Sequence, residues 1–225
     1  MTLLRQSIAI LRKDLLVDFR SGRRVMAVSL FGAMTLLLFS FAAGTDAAVL
    51  KDQAAGYLWL SLFLSSTLAL SESFRVELED DALEGLTLLP VDPRALYYGK
   101  ACANLLFLLG LALILLPLAF ALYGPGLRES LFNLVAFLFF GLAGLAGPGT
   151  LYSAMTSRAR GRDVMLPLLL FPLVVPVLTA AVKGTALAFA GDPMNQMTSW
   201  LQLLIVFDLV YWSLCGLLFG KVIDS

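Results

Sequence analysis

The sequence predicts an all-α integral membrane protein with six transmembrane helices, an N-terminal interfacial helix and a short helix in the loop between the second and third spans. Two observations favour this class. First, 60% of the 225 residues are hydrophobic and only 14% are charged, whereas soluble domains average about 45–50% and about 25%. Second, the apolar residues are concentrated in six stretches, each near the ~17–25 residues that a helix needs to cross a bilayer.

These six stretches account for more than half of the chain. The fourth is the shortest, so it must either cross thin membrane or continue through the glycines that follow it. The predicted spans are residues 25–43, 54–70, 101–123, 131–146, 165–182 and 200–219.

The basic residues are divided unevenly between the two sides of the predicted membrane. Thirteen of the sixteen Lys and Arg residues lie with the two termini, the loop of residues 71–100 and the loop of residues 147–164. The positive-inside rule therefore places both termini and the loop of residues 71–100 in the cytoplasm. Both the first span and the charged region before it are too long for a cleaved signal peptide. This span should therefore remain in the protein as an anchor.

The N-terminal residues carry an apolar stripe at helical spacing, with Arg5, Arg12 and Lys13 away from it. This pattern predicts a helix that lies in the headgroup plane. The alternative is a basic flank that only sets the orientation. The apolar stripe consists of Leu4, Ile8, Leu11, Leu15 and Phe19.

The loop between the second and third spans is polar but has helical periodicity. It contains seven of the sixteen acidic residues. Asp81 followed by Glu84 has the form of a capping box, which predicts a short helix that starts at Ala82. Pro90 ends this helix, and Asp92 with the proline after it predicts the N-cap of the next span. A rigid amphipathic helix held between two spans is a surface that a soluble partner could bind.

The fourth span ends in a run of small residues, Gly-Leu-Ala-Gly-Leu-Ala-Gly-Pro-Gly. Small residues let helices approach closely in lipid, where no hydrophobic effect drives them together. Tight packing is one interpretation of this run and a hinge is the other. Pro148 is predicted to end the regular helix.

The fifth span contains three prolines, of which Pro172 and Pro176 are candidate functional residues. Each proline inside a helix removes one backbone hydrogen bond. Lipid cannot satisfy the freed carbonyls, so this face is predicted to pack on protein or to line a cavity.

Asp208 is the sole acidic residue well inside a predicted span. A carboxylate near the midplane costs ~2.5–3.5 kcal/mol on insertion scales, and such residues often serve function. We predict that Asp208 points toward protein or a cavity. The alternative is a local structural hydrogen bond with Ser213, with Gln202 or with a neighbouring span.

Several function classes are disfavoured by composition. The chain has no histidine, and its two cysteines fall in apolar spans, so neither a CxxC metal site nor a disulfide framework is predicted. The balanced charge gives no argument for a nucleic-acid partner. The Gly-Lys pairs ending at Lys100 and Lys221 lack the rest of a P-loop, so the chain cannot bind ATP in that way. No catalytic constellation is present, and we expect no enzyme activity in this chain.

The stretch Glu-Leu-Glu-Asp-Asp-Ala-Leu-Glu-Gly-Leu-Thr-Leu-Leu-Pro-Val-Asp-Pro resembles the coupling segment of type 2 ABC exporter permeases. That motif usually begins with Gly-Thr or Gly-Ser, where this chain has Asp-Ala. Within the superfamily, the whole chain resembles the haem exporter protein B (CcmB) family. This narrower likeness rests on Leu-Ala-Leu-x-Glu-x-Phe-Arg, with Glu72, Phe74 and Arg75, and on Gly-Pro-Gly-Thr-Leu before the proline-rich span.

The resemblance implies a multi-pass permease subunit of the bacterial inner membrane that acts in c-type cytochrome biogenesis. It would pair with a separate cytoplasmic ATPase, two copies of each, so that this chain forms a homodimer in lipid. ATP would bind the partner, and haem is a possible substrate, with no cofactor bound directly by this chain. The other implied partners are a haem-handling membrane subunit, a small helper subunit and a periplasmic haem chaperone. Whether haem crosses the chain or ATP drives release of the loaded chaperone stays open. The ATPase contact implied by the motif is Asp81, Ala82, Leu83, Glu84, Gly85, Leu86 and Pro90.

Two other functions fit the same spans. One is a type 2 exporter of a lipid, drug or polysaccharide, and the other is a non-transport membrane scaffold. In every case we expect a single membrane domain over residues 1–225, with the interfacial helix in residues 1–22 and the coupling loop in residues 71–100.

Overall fold

The structure is a computed structural model that describes residues 3–44, 46–74, 92–157 and 162–223. The part of the chain that it describes is helical and contains no strand. Six of its helices, α2 to α7, are long and apolar enough to cross a membrane, so the predicted fold class is confirmed. The short helix predicted between the second and third spans lies outside the described residues. The helices are α1 (Leu3–Ser21), α2 (Arg23–Ala43), α3 (Ala47–Glu72), α4 (Pro93–Tyr123), α5 (Leu131–Thr156), α6 (Arg162–Ala190) and α7 (Met197–Ile223).

The fourth span continues through its glycines, so the prediction that Pro148 ends regular helix is wrong. Helix α5 contains Pro148 and runs to Thr156. Two neighbouring side chains hydrogen-bond α5 in the turns before the proline: Trp212 Nε1 donates to the carbonyl of Ala143 at 3.0 Å, and Tyr97 Oη donates to that of Gly147 at 3.2 Å. Pro148 itself is buried, so this part of α5 is enclosed by protein, an environment in which membrane helices tolerate proline.

Helices α3 and α5 are the central helices of the bundle. Most of the apolar length of each is buried, whereas most of α2 is exposed. Trp59 Nε1 on α3 donates to Thr185 Oγ1 on α6 at 2.9 Å, and both side chains are buried. This bond fixes the position of α3 along the axis of α6.

The glycines of α5 provide the close approach that the small-residue run predicts. A Cβ atom on Gly141 would overlap the ring of Trp59, and one on Gly147 would lie 2.8 Å from Trp212 Nε1. Large side chains of α3 and α7 therefore occupy the space next to the α5 backbone. The packing interpretation of this run agrees with the structure.

The proline face of α6 points out of this chain, so its predicted packing on protein or around a cavity stays a prediction. Leu166, Leu170 and Val174 are fully buried and form the inward stripe, whereas Pro172 and Pro176 are exposed. Two residues of helix turn the side chain through about 200°, so a proline two positions after a buried residue faces outward. The branched apolar side chains pack in the core, and the prolines do not.

The antiparallel order of the helices gives the bundle two ends. The junction end holds the starts of α2, α4 and α6, the ends of α3, α5 and α7, and helix α1. The distal end holds the other helix ends and the connections between them. At the junction end, Ser7 and Ile10 of α1 face the first turns of α4, while Leu4 and Ile8 are 68% and 53% exposed. The position of α1 in a membrane surface stays a prediction.

The close packing at Gly141 makes a stability prediction. We expect Gly141→Ala to destabilise the bundle by about 1–3 kcal/mol, because the added methyl overpacks a buried ring. The control is Gly110→Ala in α4, where nothing lies within 4 Å of the new Cβ atom, and where the better helix propensity of alanine stabilises by about 0.5–1 kcal/mol. Denaturant unfolding of the purified protein in detergent measures both. Equal stability of the two variants would contradict the packing described here.

Candidate functional site

The candidate site is the region where α3 ends and α4 begins, because these two ends flank the predicted ATPase contact. Glu72 is the last residue of α3, and Phe74 is only 2% exposed. The structure therefore describes both flanks of the segment of residues 75–91. The predicted site residues that lie outside the described residues are Arg75, Asp81, Ala82, Leu83, Glu84, Gly85, Leu86 and Pro90.

The start of α4 has the cap that the sequence predicts. Asp92 is the N-cap, and its carboxylate accepts a hydrogen bond from the backbone N–H of Arg94 at 2.9 Å. Pro93 is the first helical residue, where its fixed φ favours the helix and its missing N–H costs nothing. The point at which the chain re-enters the bundle is therefore defined by local chemistry.

Lys100 is the buried charge of the site, with a relative exposure of 2%. Its Nζ atom lies 3.3 Å from Asp14 Oδ2 on α1 and donates to the carbonyl of Ser73 at 3.0 Å. The same amine lies 4.4 Å from the centre of the Phe74 ring, a distance at which a cation is attracted to the ring face. One side chain of α4 thus holds both α1 and the last residues before the segment of residues 75–91.

Helix α1 packs directly against the start of α4. Ser7 Oγ donates to the carbonyl of Ala95 at 3.1 Å. A Cβ atom on Gly99 would lie 2.8 Å from both the carbonyl oxygen of Ser7 and the Cβ atom of Ile10. A larger residue at Gly99 would push α1 away, and with it the carboxylate that pairs with Lys100.

A second cation, the half-buried Arg24, joins α1 to the transmembrane helices. The Nη1 atom of Arg24 donates to both carboxylate oxygens of Asp18, at 3.0 and 2.8 Å. Its Nη2 atom donates to the carbonyl of Ala69 at 2.7 Å and to Asn104 Oδ1 at 3.3 Å. Asn104 in turn donates to Thr150 Oγ1 at 3.0 Å. This chain of hydrogen bonds connects α1, α2, α3, α4 and α5.

An aromatic cluster ties the end of α7 to the same region. Phe219 lies 6.4 Å from Phe74 and 5.4 Å from Tyr97 between ring centres. Tyr98 Oη donates to the carbonyl of Trp212 at 3.4 Å. Aromatic pairs at such distances add to the packing energy beyond buried area alone. The flanks of residues 75–91 are therefore joined to five of the six spanning helices.

The arrangement can transmit a displacement but has no group poised for bond chemistry. Except for Arg24 Nε, the buried polar side-chain atoms of the site that the structure describes are paired with one another or with backbone carbonyls. No group of three His, Cys, Asp or Glu residues that could hold a metal occurs in residues 3–44, 46–74, 92–157 and 162–223. The site is best described as a mechanical junction.

Asp208 lies apart from the junction, inside the bundle. It is 9% exposed, and its Oδ1 atom would lie 3.1 Å from a Cβ atom on Gly144 of α5. The prediction that it points toward protein is confirmed. Ser213 bonds to its own helix, and neither oxygen of Asp208 has a hydrogen-bond partner among the described residues. The local structural bond considered for Asp208 is therefore not present there.

Lys100, Arg24 and their partners were not predicted from the sequence. In the sequence, Lys100 and Arg24 each lie beside an apolar span on its predicted cytoplasmic side, where basic residues usually only set the orientation of the span. A usable signal was present in Asp14 and Asp18, since two acids on one helical face of a basic amphipathic segment need cations nearby. Only the fold identifies which cations those are.

The chain is similar to known proteins over most of its length. The family described as CcmB protein matches residues 5–223. Heme exporter protein B of Pseudomonas aeruginosa is 28% identical over 200 residues, which cover 89% of each chain. Heme exporter protein B of Paracoccus denitrificans is 31% identical over 194 residues, 84% of this chain and 87% of the relative. Heme exporter protein B of Escherichia coli K12 is 32% identical over 186 residues, 81% of this chain and 84% of the relative.

The buried amine of Lys100 makes the first prediction of this site. Lys100→Met keeps the length of the side chain but leaves the Ser73 carbonyl without its donor and Asp14 with only the exposed Lys13, which lies 3.0 Å from it, so we expect a loss of about 2–4 kcal/mol in unfolding free energy. The control is Lys183→Met, which changes an exposed lysine of α6. In a double-mutant cycle, Asp14→Asn should cost less in the Lys100→Met background than alone. Additive effects would show that the two residues do not interact.

Asp208 gives a second prediction for the residues described here. Asparagine has nearly the same volume and no charge, so we expect Asp208→Asn to insert into the membrane in normal amount, with any loss confined to activity. The amount is measured by immunoblot of membranes, and the activity by the yield of c-type cytochromes, the readout that the resemblance above implies. Full activity of Asp208→Leu would leave the residue without a functional role.

Proposed function

The chain belongs to the CcmB protein family, and on that basis we propose that it is the membrane permease subunit of a haem-handling ABC transporter. The observation that carries the proposal is the match over residues 5–223, which spans all six candidate transmembrane helices. The relatives are named heme exporter protein B and align over most of their own length. A lipid, drug or polysaccharide exporter and a scaffold have no comparable support.

We place this permease in the bacterial inner membrane as a single six-span domain with both termini in the cytoplasm. The support for the orientation is the distribution of basic residues between the two sides. With this orientation the junction end faces the cytoplasm and the distal end faces the periplasm. Helix α1 then lies at the cytoplasmic membrane surface, with Leu4 and Ile8 directed to lipid and Ser7 directed to α4.

Energy reaches the permease through a surface, since the sequence has no P-loop. We propose that residues 81–90 are that surface and that a separate ATPase subunit binds them. The junction supports this role, because Phe74 and Lys100 hold the two flanks of the segment together and to α1. A force applied to residues 81–90 would therefore act on both α3 and α4.

The junction also offers a route from the surface into the bundle. Arg24, Asn104 and Thr150 link the ends of α2, α4 and α5 by hydrogen bonds. Trp212 and Asp208 lie against α5 glycines further along. Movement of α3 and α4 would therefore displace α5 and α7, whose packing leaves little free space. This movement drives haem delivery, by transport of haem or by release of the loaded chaperone.

The complex that follows contains two copies of this chain and two ATPase subunits, with ATP bound only by the latter. A haem-handling membrane subunit, a small helper subunit and a periplasmic haem chaperone complete it. In this arrangement the exposed proline face of α6, with Pro172 and Pro176, is covered by another subunit, which would provide donors for the carbonyls that the prolines free.

The ATPase contact is tested by truncating its apolar stripe. Leu83 and Leu86 are three residues apart, so they would share a face of the predicted helix. We therefore expect Leu83→Ala with Leu86→Ala to remain inserted but to lose both the ATPase subunit and activity. Each buried leucine that anchors an interface commonly contributes more than ~1 kcal/mol. The matched control is Glu79→Ala, a charge outside the stripe, which should retain both. Co-purification of the ATPase with the double variant at the normal level would refute the proposed contact.

A further inference from the structure

The distal end of the bundle contains a cavity of about 430 Å³. Its walls are the first turns of α3, the last turns of α6 and the connection between α4 and α5. Cavities that bind small molecules have volumes of ~300–1,000 Å³. The cavity is separate from the junction, since it lies at the other end of the same helices.

The connection that covers the cavity is held in place by hydrogen bonds. The backbone N–H groups of Arg128 and Glu129 both donate to the carbonyl of Ala188 at 3.2 Å. The Nη1 atom of Arg128 also lies 3.5 Å from the carbonyl of Ala190. The guanidinium of Arg128 is therefore positioned at the mouth of the cavity by the end of α6.

The charge of the cavity is positive. Lys51 and Arg128 line it, against the single carboxylate of Asp52. Neither cation forms an ion pair with any of the residues that the structure describes. Two further acids nearby do not line the cavity: Glu129 accepts from the backbone N–H of Asp192 at 3.2 Å, and Asp192 accepts from the backbone N–H groups of Gln196 and Met197 at the start of α7.

The inner wall is apolar. It is formed by Ala55, Ala186 and Phe189, of which Phe189 is 8% exposed. An apolar wall below two unpaired cations suits a ligand with an apolar body and carboxylates at one edge. Lysine and arginine bind carboxylates through charge-assisted hydrogen bonds, and arginine can do so with two parallel bonds.

We propose that this cavity binds the carboxylate edge of an amphipathic tetrapyrrole, with Lys51 and Arg128 as its anion-binding residues. The inference rests on the proposed function, which supplies haem as the member of this class: its two propionates project from one edge of an apolar ring. The cavity is small enough that it holds the propionate edge and leaves the rest of the ring outside. It thus forms a docking point on the face of the permease opposite to the ATPase contact.

The test measures binding to the full chain in nanodiscs of neutral lipid, with haemin and haemin dimethyl ester as probes and empty nanodiscs subtracted. Haemin should bind the unmutated chain about tenfold more tightly than the ester, which lacks the two charges. Lys51→Ala with Arg128→Ala should weaken haemin binding to the level of the ester and leave ester binding unchanged. The ester comparison needs no variant, so it stands even where a substitution harms folding.

The matched control is Lys183→Ala, which removes the third basic residue of the distal side and should bind haemin normally. Equal weakening by this control, or equal affinity for haemin and its ester, overturns the proposal. A further arm uses nanodiscs with anionic phosphatidylglycerol: loss of the Lys51 and Arg128 dependence there would assign the cavity to a lipid headgroup and also overturn it. Binding in nanodiscs requires no ATPase subunit, so its failure leaves the permease assignment standing.

Discussion

A buried ammonium group at the start of α4 is the constraint on which the junction depends. Lys100 is 2% exposed, and an isolated charge in apolar surroundings costs several kcal/mol. The group is stable there because Asp14, the Ser73 carbonyl and the Phe74 ring surround it. Those partners belong to α1 and to the end of α3. A single electrostatic requirement therefore fixes the relative positions of three segments and sets the separation of the two flanks of residues 75–91.

A movement at this junction can be transmitted to the rest of the bundle, because the helices of the bundle are in close contact. Glycines of α5 bring its backbone against Trp59 and Trp212, and Trp59 is bonded to Thr185 of α6. Interiors packed in this way transmit strain instead of absorbing it. The same tight packing places Asp208, a carboxyl without a described partner, at the interface of α5, α6 and α7. A shift of α5 would change the surroundings of that carboxyl first.

The sequence predicts features that depend on neighbouring residues and misses those that depend on distant ones. The six spans and the Asp92 cap follow from local composition and local hydrogen bonds, and both are confirmed. The continuation of α5 through Pro148 occurs where α5 is buried by the other helices, which no local pattern shows. The outward direction of Pro172 depends on which stripe of α6 the other helices cover. Lys100 was missed for the same reason, since its carboxylate partner is 86 residues away.

The central claim is that α1 and the start of α4 move as one unit during the ATP cycle, and the distance between the two helices tests it most directly. Leu4 of α1 is 68% exposed and Arg94 in the first turn of α4 is exposed, so each can carry a spin label without disturbing the packing at Gly99. Leu4→Cys with Arg94→Cys, in a background of Cys102→Ala and Cys215→Ala, would be labelled and reconstituted with the partner subunits. The distance between the two labels is then measured by pulsed electron paramagnetic resonance without nucleotide and with ATP bound. The account predicts the same distance in both states; a distance that changes when ATP binds would show that α1 moves relative to α4, and would contradict it.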